Sequence, residues 1–154
     1  MALAAQERLS QGGQNAAKVR LAGLGDAVDI MRLLSETNVA VTTAKEVEEN
    51  LEQGGALLLE SKAGTLLCAL VWLEAEHGWT LRQPAVLEAY RDQELDRWVL
   101  TKLEALAIQR NIPTLKMRLD DESRLSYYAR MGYRLEGDDT LLLSKRVGGT
   151  WQYK

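Results

Sequence analysis

Residues 86–100 read VLEAYRDQELDRWVL. The first residues end an extended apolar run. From Gln93 onward Leu95, Val99, Leu103 and Leu106 recur at helical spacing, which predicts a long helix over about Gln93 to Gln109. A strand feeding a helix in this way presents unpaired N–H groups and a positive dipole end, the general frame of an anion site. Here the frame is filled with acid. Glu88, Asp92, Glu94 and Asp96 crowd the turn, against Arg91 and Arg97. Acids in a first helical turn also stabilise any helix by meeting its dipole, so the segment reads both as a capped helix start and as an anion site denied its anion.

Working outward, Lys18 to Ala22 is a short alternating strand, and GLGDAVDIMRLLSE follows as a helix with Asp26 placed to cap it. TTAKEVEENLEQ is a second helix, with Thr43 and Glu46 at capping-box spacing and Gly54–Gly55 to stop it. ALLLES and TLLCALVWLEA, joined by SKAG, are near-continuous apolar runs, which predicts strands covered on both faces. WTLRQPAVL is a third strand, interrupted by Pro84, which cannot donate to a ladder and belongs at an edge or bulge. After the long helix, TLKMRL is a strand, ESRLSYYARM a short helix ended by Gly132, and TLLLSKRV a last strand. The expectation is an α/β layered (α+β) domain with a mixed sheet. Its order is strand, two helices, three strands, helix, strand, helix and one or two closing strands. Residues 1–16 read as a flexible tail, 17–147 as the domain and 148–154 as a second tail.

With 46% hydrophobic and 27% charged residues, the 154-residue chain has an ordinary globular composition and length enough for one core. A net charge of −3 and no run of Lys or Arg argue against a nucleic-acid binder. The single cysteine, Cys68, forms no internal disulfide, and with the single histidine, His77, it cannot build a Cys/His zinc site. No metal is expected. The N-terminus lacks a signal-peptide pattern and no apolar run is long enough to span a bilayer, so a cytoplasmic location is the default expectation.

Two local patterns carry a family resemblance. Val86, Tyr90 and Arg91 fit V-x-P-x-Y-R, which is followed in that pattern by x-x-G-x-G/A; here the latter reads Asp92, Gln93, Glu94, Leu95, Asp96. Tyr128 and Gly132 fit N-x-x-A-x-x-F-Y-x-x-x-G-F, with Tyr127 and Tyr133 in the phenylalanine places, over residues 121–133. With the element order, the domain resembles the GNAT superfamily of N-acyltransferases over about residues 18–147. The resemblance implies a GNAT-like mixed sheet flanked by helices. It also implies acetyl-CoA, or another acyl-CoA, as cofactor if the protein is active. The pyrophosphate would then lie at Val86, Arg91, Gln93, Glu94, Leu95, Asp96 and Arg97. Tyr128 takes the position of the general acid that protonates the departing thiolate.

The chain departs from the pattern where phosphate contact matters. Glu94 and Asp96 stand at both glycine positions, where backbone must approach the ligand without a Cβ between. Two unit charges about 6 Å apart repel by roughly 0.7 kcal/mol in water, so a pyrophosphate facing these acids would lose about 2–4 kcal/mol. Tyr128 also reads as a core ring with its hydroxyl bonded internally. Glu74 and Glu76, at and just past the end of the TLLCALVWLEA strand, are general-base candidates, although acids flanking a turn are usually just solvated. His77 reads as an exposed turn residue and Cys68 as core. Trp151 and Tyr153 either pack on the domain or anchor a protein partner. Three functions fit: a GNAT-fold binding or assembly module with an impaired acyl-CoA site, an active N-acyltransferase, and a non-catalytic small-molecule binder in the old cofactor cleft.

Overall fold

Strand β3 (Leu66–Ala75) is buried from Leu67 to Trp72 without a break, the signature of a strand packed on both faces. Around it the computed structural model, which describes residues 17–37 and 42–148, builds a single sheet. Of the expected tails, 1–16 and 148–154, all residues but Gly148 lie outside the described residues, Trp151 and Tyr153 included. In chain order the elements are β1 (Ala17–Leu21), α1 (Ala27–Thr37), α2 (Ala44–Gln53), β2 (Gly54–Ser61), β3, β4 (Gly78–Arg82), β5 (Ala85–Val86) and α3 (Leu95–Gln109). There follow β6 (Thr114–Arg118), α4 (Leu125–Ala129), β7 (Arg134–Glu136) and β8 (Asp139–Arg146). The sheet runs β1-β2-β3-β4-β6-β8-β7, with β5 added to β3. Every pairing is antiparallel except β4 with β6. This is the mixed, helix-flanked sheet the sequence predicts. No helix among the described residues is long and apolar enough to cross a membrane.

Alternation along β2 and β3 divides the core in two. Leu57, Leu59, Leu70 and Trp72 face α3, meeting Leu95, Val99, Leu100 and Leu103, with Tyr128 and Tyr133 from the C-terminal half. Ala56, Leu58, Ala69 and Val71 face the other way, onto Ile30, Leu33, Leu34 and Val47 of α1 and α2. Each fully buried leucine contributes about 1.5–3 kcal/mol of transfer free energy.

Local chemistry sets the element ends. Thr43 and Glu46 form the expected reciprocal cap on α2: the Glu46 amide donates to Thr43 Oγ1 (3.1 Å) and the Thr43 amide to Glu46 Oε1 (2.9 Å). Asp26 lies in a 3-10 turn before α1, where its carboxylate accepts the Gly23 amide at 2.8 Å. The Arg20 guanidinium also grips it, holding the Asp26 carboxyl below its usual range. Pro84 makes a bulge. Leu81 pairs with Trp72 and Ala85 with Ala69, so one extra residue is accommodated on the proline strand.

Gly54–Gly55 differs from expectation. The helix ends at Gln53, but Gly54 is extended (φ −164°) rather than left-handed, and both glycines begin β2. They are required by close approach: a Cβ on Gly54 would lie 2.0 Å from the Trp72 carbonyl oxygen, and one on Gly55 2.6 Å from the Trp72 ring. Gly54→Ala should therefore lower stability by about 1–3 kcal/mol or more in urea unfolding, through overpacking against backbone. Gly23→Ala, with nothing within 4 Å of the added carbon, should stay within about 0.5 kcal/mol of wild type.

Candidate functional site

The start of α3 decides what this cleft can hold. Residues Glu88–Gln93 form a 3-10 turn rather than the first turn of the helix, and Glu94 follows in the left-handed region (φ 55°, ψ 37°). That break moves the helix start from the expected Gln93 to Leu95. Glu94 thus adopts the backbone that glycine takes most cheaply, as Gly132 does (φ 99°) at the end of the α4 turn. The Glu94 side chain points outward, 61% exposed, with Arg97 Nη1 at 3.4 Å. It makes no side-chain cap hydrogen bond.

Asp96 turns inward and is only 6% exposed. Its Oδ2 accepts Arg124 Nη2 at 2.5 Å and the Tyr128 hydroxyl at 3.2 Å. Its Oδ1 accepts the Arg97 amide at 3.0 Å and the Tyr127 hydroxyl at 3.2 Å. Both oxygens are thus served twice, which is what a buried carboxylate requires. Arg124 in turn lies over the Tyr127 ring, 3.7 Å from its centroid. Tyr127 and Tyr128 meet edge to face at 5.1 Å.

These contacts shift the titration of the partners. Burial, then the Asp96 charge, pushes the Tyr127 hydroxyl up to about 12. The same causes hold Tyr128 well above an ordinary phenol, with Arg124 opposing them in part. Burial alone would lower the Arg124 guanidinium, but the hydrogen bond and charge of Asp96 outweigh it and raise it. Next to this cluster Glu104 joins α3 to the C-terminal strands, accepting from the Tyr133 hydroxyl at 2.9 Å and from Lys145 Nζ at 3.2 Å.

Two cavities flank the Asp96–Arg124 pair, and both residues line both. One, of about 690 Å³, is bordered by Arg91, Arg97, Arg130 and Lys145. The other, of about 310 Å³, reaches Gln83, Val86 and Asp120 at the ends of β4 and β6. Arg91 also lines both. Across the second, the Asp120 amide donates to Gln83 Oε1 at 3.0 Å, tying the two parallel strands beyond their last register pair. Partial desolvation raises the Asp120 carboxyl, and Arg82 counteracts it.

The structure therefore brings together Tyr128, Val86, Arg91, Glu94, Asp96 and Arg97, with Leu95 buried as the anchor beneath them. Gln93 lies further out, beside Trp98. Glu74 and Glu76 are not part of this group. They flank the β3–β4 turn, at the opposite end of β4 from Gln83, about 13 Å away at strand rise. Glu76 and His77 are 87% and 88% exposed there. Cys68 is buried inside β3, and burial pushes its thiol up, away from nucleophilic use. Sequence reading missed Arg124 and Asp120. For Arg124 a signal was present: it stands where the second GNAT pattern has alanine, as Asp96 stands where the first has glycine or alanine. The two departures are each other's partners.

Two substitutions separate the strained acid from the bonded one. Glu94→Gly should stabilise the fold by about 0.5–1 kcal/mol by relieving the left-handed backbone of a residue with no buried contact. Asp96→Ala should cost about 1–3 kcal/mol, because the buried Tyr128 hydroxyl loses its acceptor while the partly exposed Arg124 regains water. Paired urea titrations of the two variants check both signs.

No family model and no curated protein matches the sequence. Solved structures do. The Escherichia coli ribosomal-protein-S18-alanine N-acetyltransferase superposes with a TM-score of 0.76 at 15% identity, over 90% of this chain and 98% of that one. Ard1 from Thermoplasma volcanium gives 0.75 at 14% identity, over 86% and 98%. The GNAT family N-acetyltransferase YhbS of E. coli, solved in complex with CoA, gives 0.71 at 18% identity, over 86% and 82%. With its mixed sheet, its single parallel step between β4 and β6 and the helix that follows β5, the chain has the fold of the GNAT N-acetyltransferases.

Proposed function

We propose that this protein is a GNAT-fold binding or assembly module whose acyl-CoA site is closed by its own side chain. The observation that carries the reading is the buried Asp96 carboxylate at the start of α3, held by Arg124, Tyr127, Tyr128 and the Arg97 amide. A helix N-terminus suits an anion because it offers unpaired N–H groups and a positive dipole end. Here a carboxylate is covalently part of the chain, and it is paired with Arg124. A pyrophosphate arriving at that terminus meets a like charge and must displace a satisfied ion pair. The residues do not fit that group.

The same cluster argues against thiolate protonation. A general acid has to direct its proton at the leaving group, but the Tyr128 hydroxyl is committed to Asp96 and held above its ordinary range. The alternative of a non-catalytic small-molecule binder draws on a different observation. The 690 Å³ cavity is bordered by Arg91 and Arg130, which have no ion-pair partner among the described residues. A small anionic ligand held by these two arginines would sit beside the Asp96 cluster, which shares the cavity wall with Asp92, Glu94 and Glu104.

Calorimetric titration with acetyl-CoA tests the main reading. The wild-type chain should give no saturable heat. Glu94→Gly with Asp96→Gly should gain affinity by about 30-fold or more, the equivalent of about 2 kcal/mol of relieved repulsion, and should leave Arg124 available to phosphate. Tight binding by the wild type, or no gain in a folded double variant, would refute it.

A further inference from the structure

Among the described residues, one face of the sheet is only half covered. The residues of α1 and α2 pack on β2, β3 and β5, and no residue of β4, β6, β7 or β8 joins that second core. Among the described residues these four strands therefore carry no helix on this side. Register decides what stands there instead. Leu115, Met117 and Leu143 point into the core on the opposite face, so Lys116, Arg118, Ser144 and Arg146 stand on the open one. Arg82 lies beside Arg118 and Arg134 beside Ser144, on the same side. Arg82, Lys116, Arg118, Arg134 and Arg146 thus share one recessed plane. Glu136, 3.7 Å from Lys116, is an acid on the same strands, with Asp120 just beyond the end of β6.

This basic plane belongs to a chain whose net charge is −3. The balancing acid lies next door, on the helix layer that covers the other half of the same face. Glu48, Glu49 and Glu52 are all exposed on α2, with Lys45 as its lone cation. The face is thus a step, acidic where it is raised and basic where it is recessed.

We infer that this step is the interface of an isologous dimer, in which α2 of each copy seats in the basic recess of the other. A two-fold axis brings the acidic helix of one copy onto Lys116, Arg134 and Arg146 of the second, and the converse, so one patch satisfies itself twice. The dimensions agree. The 10-residue α2 is about 15 Å long, the four strands span about 14 Å, and the recess is as deep as a helix is wide, about 10 Å. Charge complementarity of this kind fixes register and partner and falls with ionic strength. The inference does not use the cleft at α3 and stands or falls independently of it.

Sedimentation velocity on the full chain tests it. The wild type should be dimeric in low salt and dissociate in roughly 1 M salt, where screening extends to about 3 Å. Arg134→Glu with Arg146→Glu should weaken self-association by roughly 100-fold, and so should Glu48→Lys with Glu49→Lys, because each turns an attractive contact into a like-charge one. An equimolar mixture of the two reversed variants should dimerise as the wild type does, since both halves of the interface are again opposite in charge. Circular dichroism confirms that each variant is folded. Should a reversal disturb the fold, Arg134→Gln with Arg146→Gln should still weaken the dimer. A wild type that is monomeric in low salt, a dimer indifferent to both reversals, or a mixture that stays monomeric would overturn the inference.

Discussion

The Asp96–Arg124 ion pair is the interaction around which the C-terminal half is arranged. A carboxylate buried at a helix terminus is costly unless every lone pair is met, and Asp96 meets that demand by recruiting across 28 residues of sequence. Its partners come from the turn and helix of residues 122–129, so the pair clamps α4 against α3 and fixes both tyrosine rings. Removing Arg124 leaves a nearly buried carboxylate without its cation, whereas removing Asp96 leaves Arg124 partly open to water, so the dependence runs mainly from the acid to the arginine.

That arrangement also divides the cleft. The pair stands between a larger cavity edged by arginines and a smaller one at the ends of β4 and β6. The space opens just beyond the parallel step, because β4 pairs with both β3 and β6, whereas β5, after the Pro84 bulge, stays on β3 and does not pair with β6. The backbone thus keeps the fold of the GNAT N-acetyltransferases, while the Asp96–Arg124 pair stands between the two cavities. Fold and site carry separate information here, and the site has to be argued from its own residues.

Much of the fold was legible in sequence because its signals are local. The unbroken apolar run of β3, the Thr43–Glu46 cap and the proline bulge each depend on neighbours a few residues away. Gly54 and Gly55 were legible as punctuation but not as clearance for Trp72, which sits on the next strand. At the site, sequence placed acid at both glycine positions but could not say which way each pointed. Glu94 turned outward because its left-handed backbone aims it at solvent, and Asp96 turned inward because Arg124 waits there. The alanine-to-arginine departure at 124 was visible, yet only folding gives it a partner. The basic half of the sheet was illegible for a similar reason. Arg82, Lys116, Arg118, Arg134 and Arg146 never form a run, and strand register alone gathers them.

The central claim is that the Asp96 carboxylate occupies the anion position at the start of α3. It is tested most directly by the backbone amide resonances of Leu95 to Trp98 in the wild-type protein as acetyl-CoA is added. The account predicts that these four amides do not shift at millimolar ligand, because the terminus already holds its anion. Saturable shifts centred on them, accompanied by loss of the Arg97 amide's bond to Asp96, would contradict it.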